Sequence, residues 1–337
     1  MTRQIHTVKK QVCLLLVAWS IILPAHSVFS QSASARPELA LQTGHFGSVL
    51  SAAFSPDSKT LATVGDDWNV RLWDVETKQV LHTLHGHTAS VSSVAFSPNG
   101  KFLATGEFGT QVTLWDPRSG AERFTIVDNE AVTTLSFSPD NKVLAIGVGS
   151  DAEHPGKIRI YDLVQRKVRF SLDENSDGIS ELQFSPDSQM LISGGKDGKL
   201  KVWDLKARSL KREWDAHAGE GVSSFVILPG GKSVVSGGRA DGTIKFWKLA
   251  TGELERTVDG EPNERNFVGL NTVCNCLVVG NAEVKLYDLT TGNLQQSLVK
   301  KTISSNRVLI SPNGEKVLNI GVELNGADAD ADVYFGK

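Results

Sequence analysis

The chain has 337 residues, 40% of them hydrophobic and 22% charged, a balance that supports a sizeable core and excludes a disordered or collagen-like chain. Its formal net charge of -3 and pI of about 6.3 carry no electrostatic footprint for nucleic acid, so no nucleic-acid partner is expected.

At the N-terminus, Arg3, Lys9 and Lys10 precede an apolar run from Val12 to Leu23, followed by Pro24, Ala25 and small residues. That order is the pattern of a cleavable secretory signal over residues 1–30. The expected cut follows Ser30, with Val28 three positions before it; a cut after Ala35 is the alternative. About twelve apolar residues are fewer than the roughly 20 that cross a bilayer, so no stable membrane span is expected after cleavage. Cys13 falls inside the signal, and the preceding Lys-Gln-Val lacks the small residues of a lipoprotein signal. Residues 31–37 then read as a short linker, and residues 38–337 as the folded domain.

From there the chain repeats. Phe54-Ser55-Pro56-Asp57 returns as Phe96-Ser97-Pro98-Asn99, Phe137-Ser138-Pro139-Asp140, Phe184-Ser185-Pro186-Asp187, Leu228-Pro229-Gly230 and Ile310-Ser311-Pro312-Asn313, with prolines every 41 to 47 residues and one copy skipped. Proline presets φ for a turn and Asp or Asn bonds its own backbone, so each copy reads as a hairpin between buried strands. At the same period strands end in Leu72-Trp73-Asp74, Leu114-Trp115-Asp116, Ile160-Tyr161-Asp162, Val202-Trp203-Asp204, Phe246-Trp247-Lys248 and Leu286-Tyr287-Asp288. Runs such as Leu61-Ala62-Thr63-Val64 add a strand between the two signatures, and runs such as Gln79 to His85 add one after them. Four short strands per period of 40 to 45 residues are the sequence pattern of a β-propeller blade.

On these motifs the chain resembles the WD-repeat family over residues 38–337. The resemblance implies an internal tetrad in each blade: a His in the loop before it, a Ser or Thr on its second strand, an Asp in the next turn and a Trp on its third strand. Blade one matches with His45, Thr63, Asp67 and Trp73, and blade five with His217, Ser236, Asp241 and Trp247. Blade two offers His87, Thr105 and Trp115, with Gly109 at the Asp position; blade four offers Ser193, Asp197 and Trp203 without a matching His. Blades three and six keep only Tyr161 and Tyr287.

After blade six the chain supplies strands at Ser304 to Ile310, Lys316 to Ile320 and Ala331 to Phe335, and then no fourth. Leu39 to His45 resembles Val80 to His87 and offers the missing strand. The expected fold is therefore an all-β, seven-bladed propeller of four-stranded antiparallel blades, closed by an N-terminal strand in the last blade, which removes two exposed sheet edges. Cys274 and Cys276 would share a strand face, where a bridge closes a very tight ring, so two buried free thiols are expected.

Candidate chemistry is thin. His82, His85 and His87 lie close together but have no Cys or carboxylate partner at zinc-site spacing. Asp328, Asp330 and Asp332 lack the Gly and the bidentate Glu of a calcium loop. Gly147-Val148-Gly149-Ser150 does not have nucleophile-elbow spacing. No metal or cofactor is expected, and the resemblance implies a packing role for the tetrad residues.

Function is then expected at the surface. Loops before each blade and between second and third strands share one face, and two are long, Val148 to Gly156 and Gly321 to Asp332; long loops on a compact scaffold tend to carry function. Phe46, Trp68, Phe108, Lys196 and Arg239 fall in loops of that face and are of types suited to binding hot spots. The sequence is read as a monomeric, non-catalytic scaffold, exported to a periplasm, cell surface or secreted space, with a protein or peptide partner. The rival reading is a propeller hydrolase or lyase, or a metal-binding protein, marked by carboxylates or histidines converging at the central channel mouth.

Overall fold

A computed structural model of the protein describes residues 38–42, 44–149, 155–173, 178–217, 221–239, 241–260, 265–281, 283–299, 303–323 and 332–335. The chain divides into Met1–Ser34 and Ala35–Lys337. The expected signal over residues 1–30 and linker over 31–37 lie outside the described residues, as do most of the two long loops and the Asp328 to Asp332 side chains.

Six four-stranded antiparallel sheets follow one another, spanning residues 49–84, 91–127, 132–173, 179–215, 222–259 and 267–299, each with its strands in chain order. The hairpins form for the reason read from the motif, with one addition. In Ser-Pro-Asp turns the serine is buried and its Oγ donates to the acid, as Ser55 does to Asp57 at 2.6 Å, while accepting the Thr60 amide at 2.9 Å. The Asp of Trp-Asp works the turn between third and fourth strands: Asp74 Oδ1 accepts the amides of Glu76 and Thr77.

The expected count of seven is corrected to six. In place of a seventh four-stranded blade there are two separate two-stranded sheets. Ile303–Ile310 pairs with Val317–Glu323, and Glu38–Gln42 pairs antiparallel with Asp332–Phe335, with a break in register between Glu38 and Leu41. The physical reason lies in the C-terminal strand. It is four residues long, follows an Ala-Asp repeat of poor strand propensity, and is hydrogen-bonded to Glu38–Gln42 and not to Val317–Glu323.

The aromatic that ends each third strand is a wedge between neighbours. Trp115 of blade two clusters with Ala62, Val64 and Leu72 of blade one, Trp203 with Ile158 and Ile160 of blade three, and Trp247 with Leu200 and Val202 of blade four. Trp73 packs with Leu318 and Ile320, which seats the Ile303–Ile310 and Val317–Glu323 pair against blade one; Val308 seats it against Phe267 and Val278 of blade six.

First strands carry register shifts at Val49/Ser51, Val91/Ser93, Val132/Thr134, Ile179/Glu181 and Val222/Ser224. The residue left over at each bulge is Leu50, Ser92, Thr133, Ser180 or Ser223, and all five line a central cavity of 680 Å³. Bulges re-aim a side chain out of the ladder, and here they turn it into the channel.

The expectation of free thiols is also corrected: Cys274 and Cys276 are joined as a disulfide. Cys274 sits in the turn before Cys276–Gly280, and Asn275 between them has a left-handed backbone, φ 53°. The extended strand geometry assumed for the tight ring does not apply in this turn, where the two Cα atoms are 5.2 Å apart.

Candidate functional site

The tetrads fix the loops of one face. In blade one, His45 Nδ1 donates to Asp67 at 2.7 Å, His45 Nε2 meets Thr63 Oγ1 at 2.9 Å, and Trp73 Nε1 donates to the same oxygen at 2.9 Å. A hydroxyl has one proton and two lone pairs, so the chain is satisfied with His45 neutral. Burial pushes its pKa down, against the opposing pull of Asp67. Burial also works against ionised Asp67, but hydrogen bonds from Arg71, at 2.7 Å, and from His45 outweigh it and hold the carboxyl far below its ordinary range. Blade five repeats the geometry: His217 meets Asp241 at 2.7 Å and Ser236 at 2.9 Å, and Trp247 donates to Ser236 at 2.9 Å. In blade four Trp203 donates to Ser193 at 3.0 Å and Asp197 pairs with Lys201 at 3.5 Å.

Blade two finishes its tetrad with a residue the motif missed. His87 Nδ1 donates to Glu107 at 2.9 Å, His87 Nε2 meets Thr105 at 2.7 Å and Trp115 donates to Thr105 at 2.7 Å. Glu107 lies two positions before Gly109, and its longer side chain covers that distance. A Cβ on Gly109 would come within 2.5 Å of Glu107 Oε1, so the glycine makes room for the carboxylate. Glu107→Ala is expected to cost about 1–3 kcal/mol by orphaning His87 and the Thr88 amide it also holds. The double change Glu107→Gly with Gly109→Asp, which copies blade one, should recover most of that in urea unfolding; no recovery would show that the acid's position is not interchangeable.

Blade three replaces the tetrad with ion pairs. Asp128, four residues before Val132 as His87 is before Val91, accepts from Arg159 at 3.0 Å, and Glu130 accepts from Lys157 at 2.7 Å. In blade six, Asn281 donates to Asn266 at 3.1 Å with both buried.

The five candidate contact residues divide. Phe108, Lys196 and Arg239 line the central cavity, each directly after a second strand, while Phe46 and Trp68 stand outside that lining. The last two are mounted on the blade-one tetrad: the Phe46 amide donates to Asp67 at 3.2 Å, and Trp68 follows Asp67 in the chain. Phe46 is 88% exposed, Trp68 51% and Phe108 52%. Trp68 has φ 62°, where blades four and five place Gly198 and Gly242 with φ 79° and 68°.

The cavity also holds residues not singled out from sequence: Arg265, Arg307 and Glu181. Arg307 donates to Glu181 at 3.1 Å, from the Ile303–Ile310 strand to blade four. Glu181 also accepts the Phe225 amide of blade five at 3.2 Å, and burial pushes its carboxyl pKa up. The three neighbouring histidines do not converge: His82 meets the Arg118 carbonyl, His85 meets Asn69, and His87 is in its tetrad. Among the described residues no group of His, Cys, Asp and Glu could hold a metal ion, and no helix is long and apolar enough to cross a membrane.

The family model of the IFT122 first beta-propeller matches residues 48–323. Similar curated proteins include apoptotic protease-activating factor 1 of Homo sapiens, 29% identical over 70% of this chain and 18% of that protein, and periodic tryptophan protein 2 of Arabidopsis thaliana, 27% identical over 65% and 24%. Methylosome protein WDR77 of Xenopus laevis is 28% identical over 36% of each chain. The match thus spans about a fifth to a quarter of the first two relatives' length. WD-repeat propellers act mostly as non-enzymatic protein-interaction scaffolds. With the matched family model spanning the blades described above, this chain belongs to the WD-repeat β-propeller family of the IFT122 first beta-propeller.

Proposed function

We propose that this protein is a non-catalytic, monomeric scaffold that engages a protein or peptide through the face bearing Phe46, Trp68, Phe108, Lys196 and Arg239. The observation that carries the reading is Trp68. A left-handed backbone at a bulky residue costs roughly 1–2 kcal/mol, and half of the indole stays exposed on the loop face, so contact with a partner is the use we assign to it. Phe46, anchored through its backbone on the same tetrad, adds a second rigidly mounted aromatic. By their names, one relative activates a protease and another is a methylosome protein, which supports a protein partner here.

The enzyme or metal-site alternative needs several carboxylates or histidines at the channel mouth. Among the described lining residues the one carboxylate is Glu181, already paired with Arg307. The basic start, apolar run and small residues of the first thirty positions support work outside the cytoplasm, in the cell envelope or secreted space.

A partner identified by crosslinking in the native envelope provides the assay. Replacing Trp68 and Arg239 together by alanine should weaken its binding by roughly 2 kcal/mol or more, as truncated hot spots do, with an unchanged melting temperature. Unaltered binding by that variant, together with lost binding on mutating Asp57 and Asp187 at the opposite turns, would place the site on the other face.

A further inference from the structure

Overall the chain is slightly acidic, with a formal net charge of -3, yet its central cavity gathers Lys196, Arg239, Arg265 and Arg307 against Glu181 among the described lining residues. Arg307 is matched to Glu181 at 3.1 Å. Arg239 and Arg265 meet no carboxylate within ion-pair distance among the described residues. Burial and, second to it, the neighbouring Arg239 charge push the Arg265 pKa down, and both guanidinium groups belong to the same cavity lining.

The backbone sets this up. Lys196 and Arg239 occupy the same position on adjacent blades: each follows its second strand, and each amide donates back to the loop before its own blade, to Gly178 and Gly221 at 3.1 and 3.0 Å. Gly221 has φ 79°, and a Cβ there would sit 3.2 Å from the Lys196 carbonyl oxygen and 3.5 Å from Arg239 Cδ. Glycine at 221 therefore leaves room for the Arg239 stem beside the Lys196 backbone. Nearby in the cavity wall, the buried Ser223 hydroxyl has no hydrogen-bond partner among the described residues.

We propose that the mouth of the central channel is an oxyanion site, taking a carboxylate or phosphate group between Arg239 and Arg265 with Lys196 beside them. Guanidinium forks match such groups with paired charge-assisted hydrogen bonds, and these strengthen where water is partly excluded. An anion there also relieves the repulsion between the two arginines. The group comes from a free small oxyanion or from an acidic side chain or C-terminus of a docked peptide; only the second source rests on the scaffold reading.

Calorimetric titration of the intact protein with inorganic phosphate, and separately with a short glutamate peptide, tests the site. At least one probe should bind, and Arg239→Gln or Arg265→Gln should each weaken it about tenfold, the effect of losing one charge-assisted hydrogen bond. Lys206→Gln, at a turn after a third strand, should leave it unchanged. Phosphate binding alone assigns the free source, and peptide binding assigns the docked one. Binding of neither probe, or binding that both arginine variants retain, overturns the proposal. Because phosphate binding does not depend on partner docking, and partner capture by the Trp68 and Arg239 double variant is measured separately, failure here is distinguishable from failure of the scaffold reading.

Discussion

An alanine at Trp73 or Trp247 is expected to remove about 3–5 kcal/mol of stability, the range for truncating a buried aromatic. Each indole is nearly fully buried and performs two jobs. Its apolar body wedges neighbouring sheets together, Trp73 against Leu318 and Ile320, and Trp247 against Leu200 and Val202. Its Nε1 donates to the Thr63 or Ser236 hydroxyl that the tetrad histidine also uses. Trp73→Phe separates the two, since it keeps most of the wedge and loses the donor; its cost should fall to about 1–2 kcal/mol. Equilibrium unfolding in guanidinium chloride checks both, and a midpoint for Trp73→Ala equal to the parent's would mean that the ring does not depend on this wedge.

The parts of the fold written in local chemistry were legible. A Ser-Pro-Asp turn and a Trp-Asp strand end are each specified within four residues, so the recurrence of the second located six sheets and that of the first the opening hairpins of all but blade six. Blade count was not local: three C-terminal runs and one N-terminal run looked like four strands, but strand pairing depends on a ladder that Asp332–Phe335 does not extend. Glu107 escaped because the acid of blade two moved along the strand while its side chain lengthened; His87 with no Asp to meet was the signal that an acid stood nearby. The cationic channel escaped because composition averages over the chain. Arg265, Arg307 and Glu181 are far apart in sequence and meet only once the sheets surround the cavity. The Cys274–Cys276 bridge escaped because a turn, not a strand, separates the two residues.

Arg307→Met is expected to cost about 2 kcal/mol at pH 8, below the 3–5 kcal/mol typical of breaking a fully buried pair, since water reaches both partners here. The loss should shrink on acidification. Burial already raises the Glu181 pKa, and Arg307 is the counterweight; without the arginine the carboxyl rises further. A carboxyl whose folded pKa exceeds its unfolded value of about 4.3 keeps a proton in the folded state that the unfolded chain gives up. Stability of the variant therefore falls as pH climbs from the unfolded pKa through the folded one, and the variant lies nearer its parent at pH 5 than at pH 8. Adding Glu181→Gln removes the charge and keeps an oxygen for the Phe225 amide, so the double variant should recover most of the loss and its pH dependence. Urea unfolding at the two pH values checks this. A difference between Arg307→Met and the parent that stays constant with pH would mean that Glu181 is not left uncompensated, and that the tie from Ile303–Ile310 to blade four contributes little to holding the channel closed.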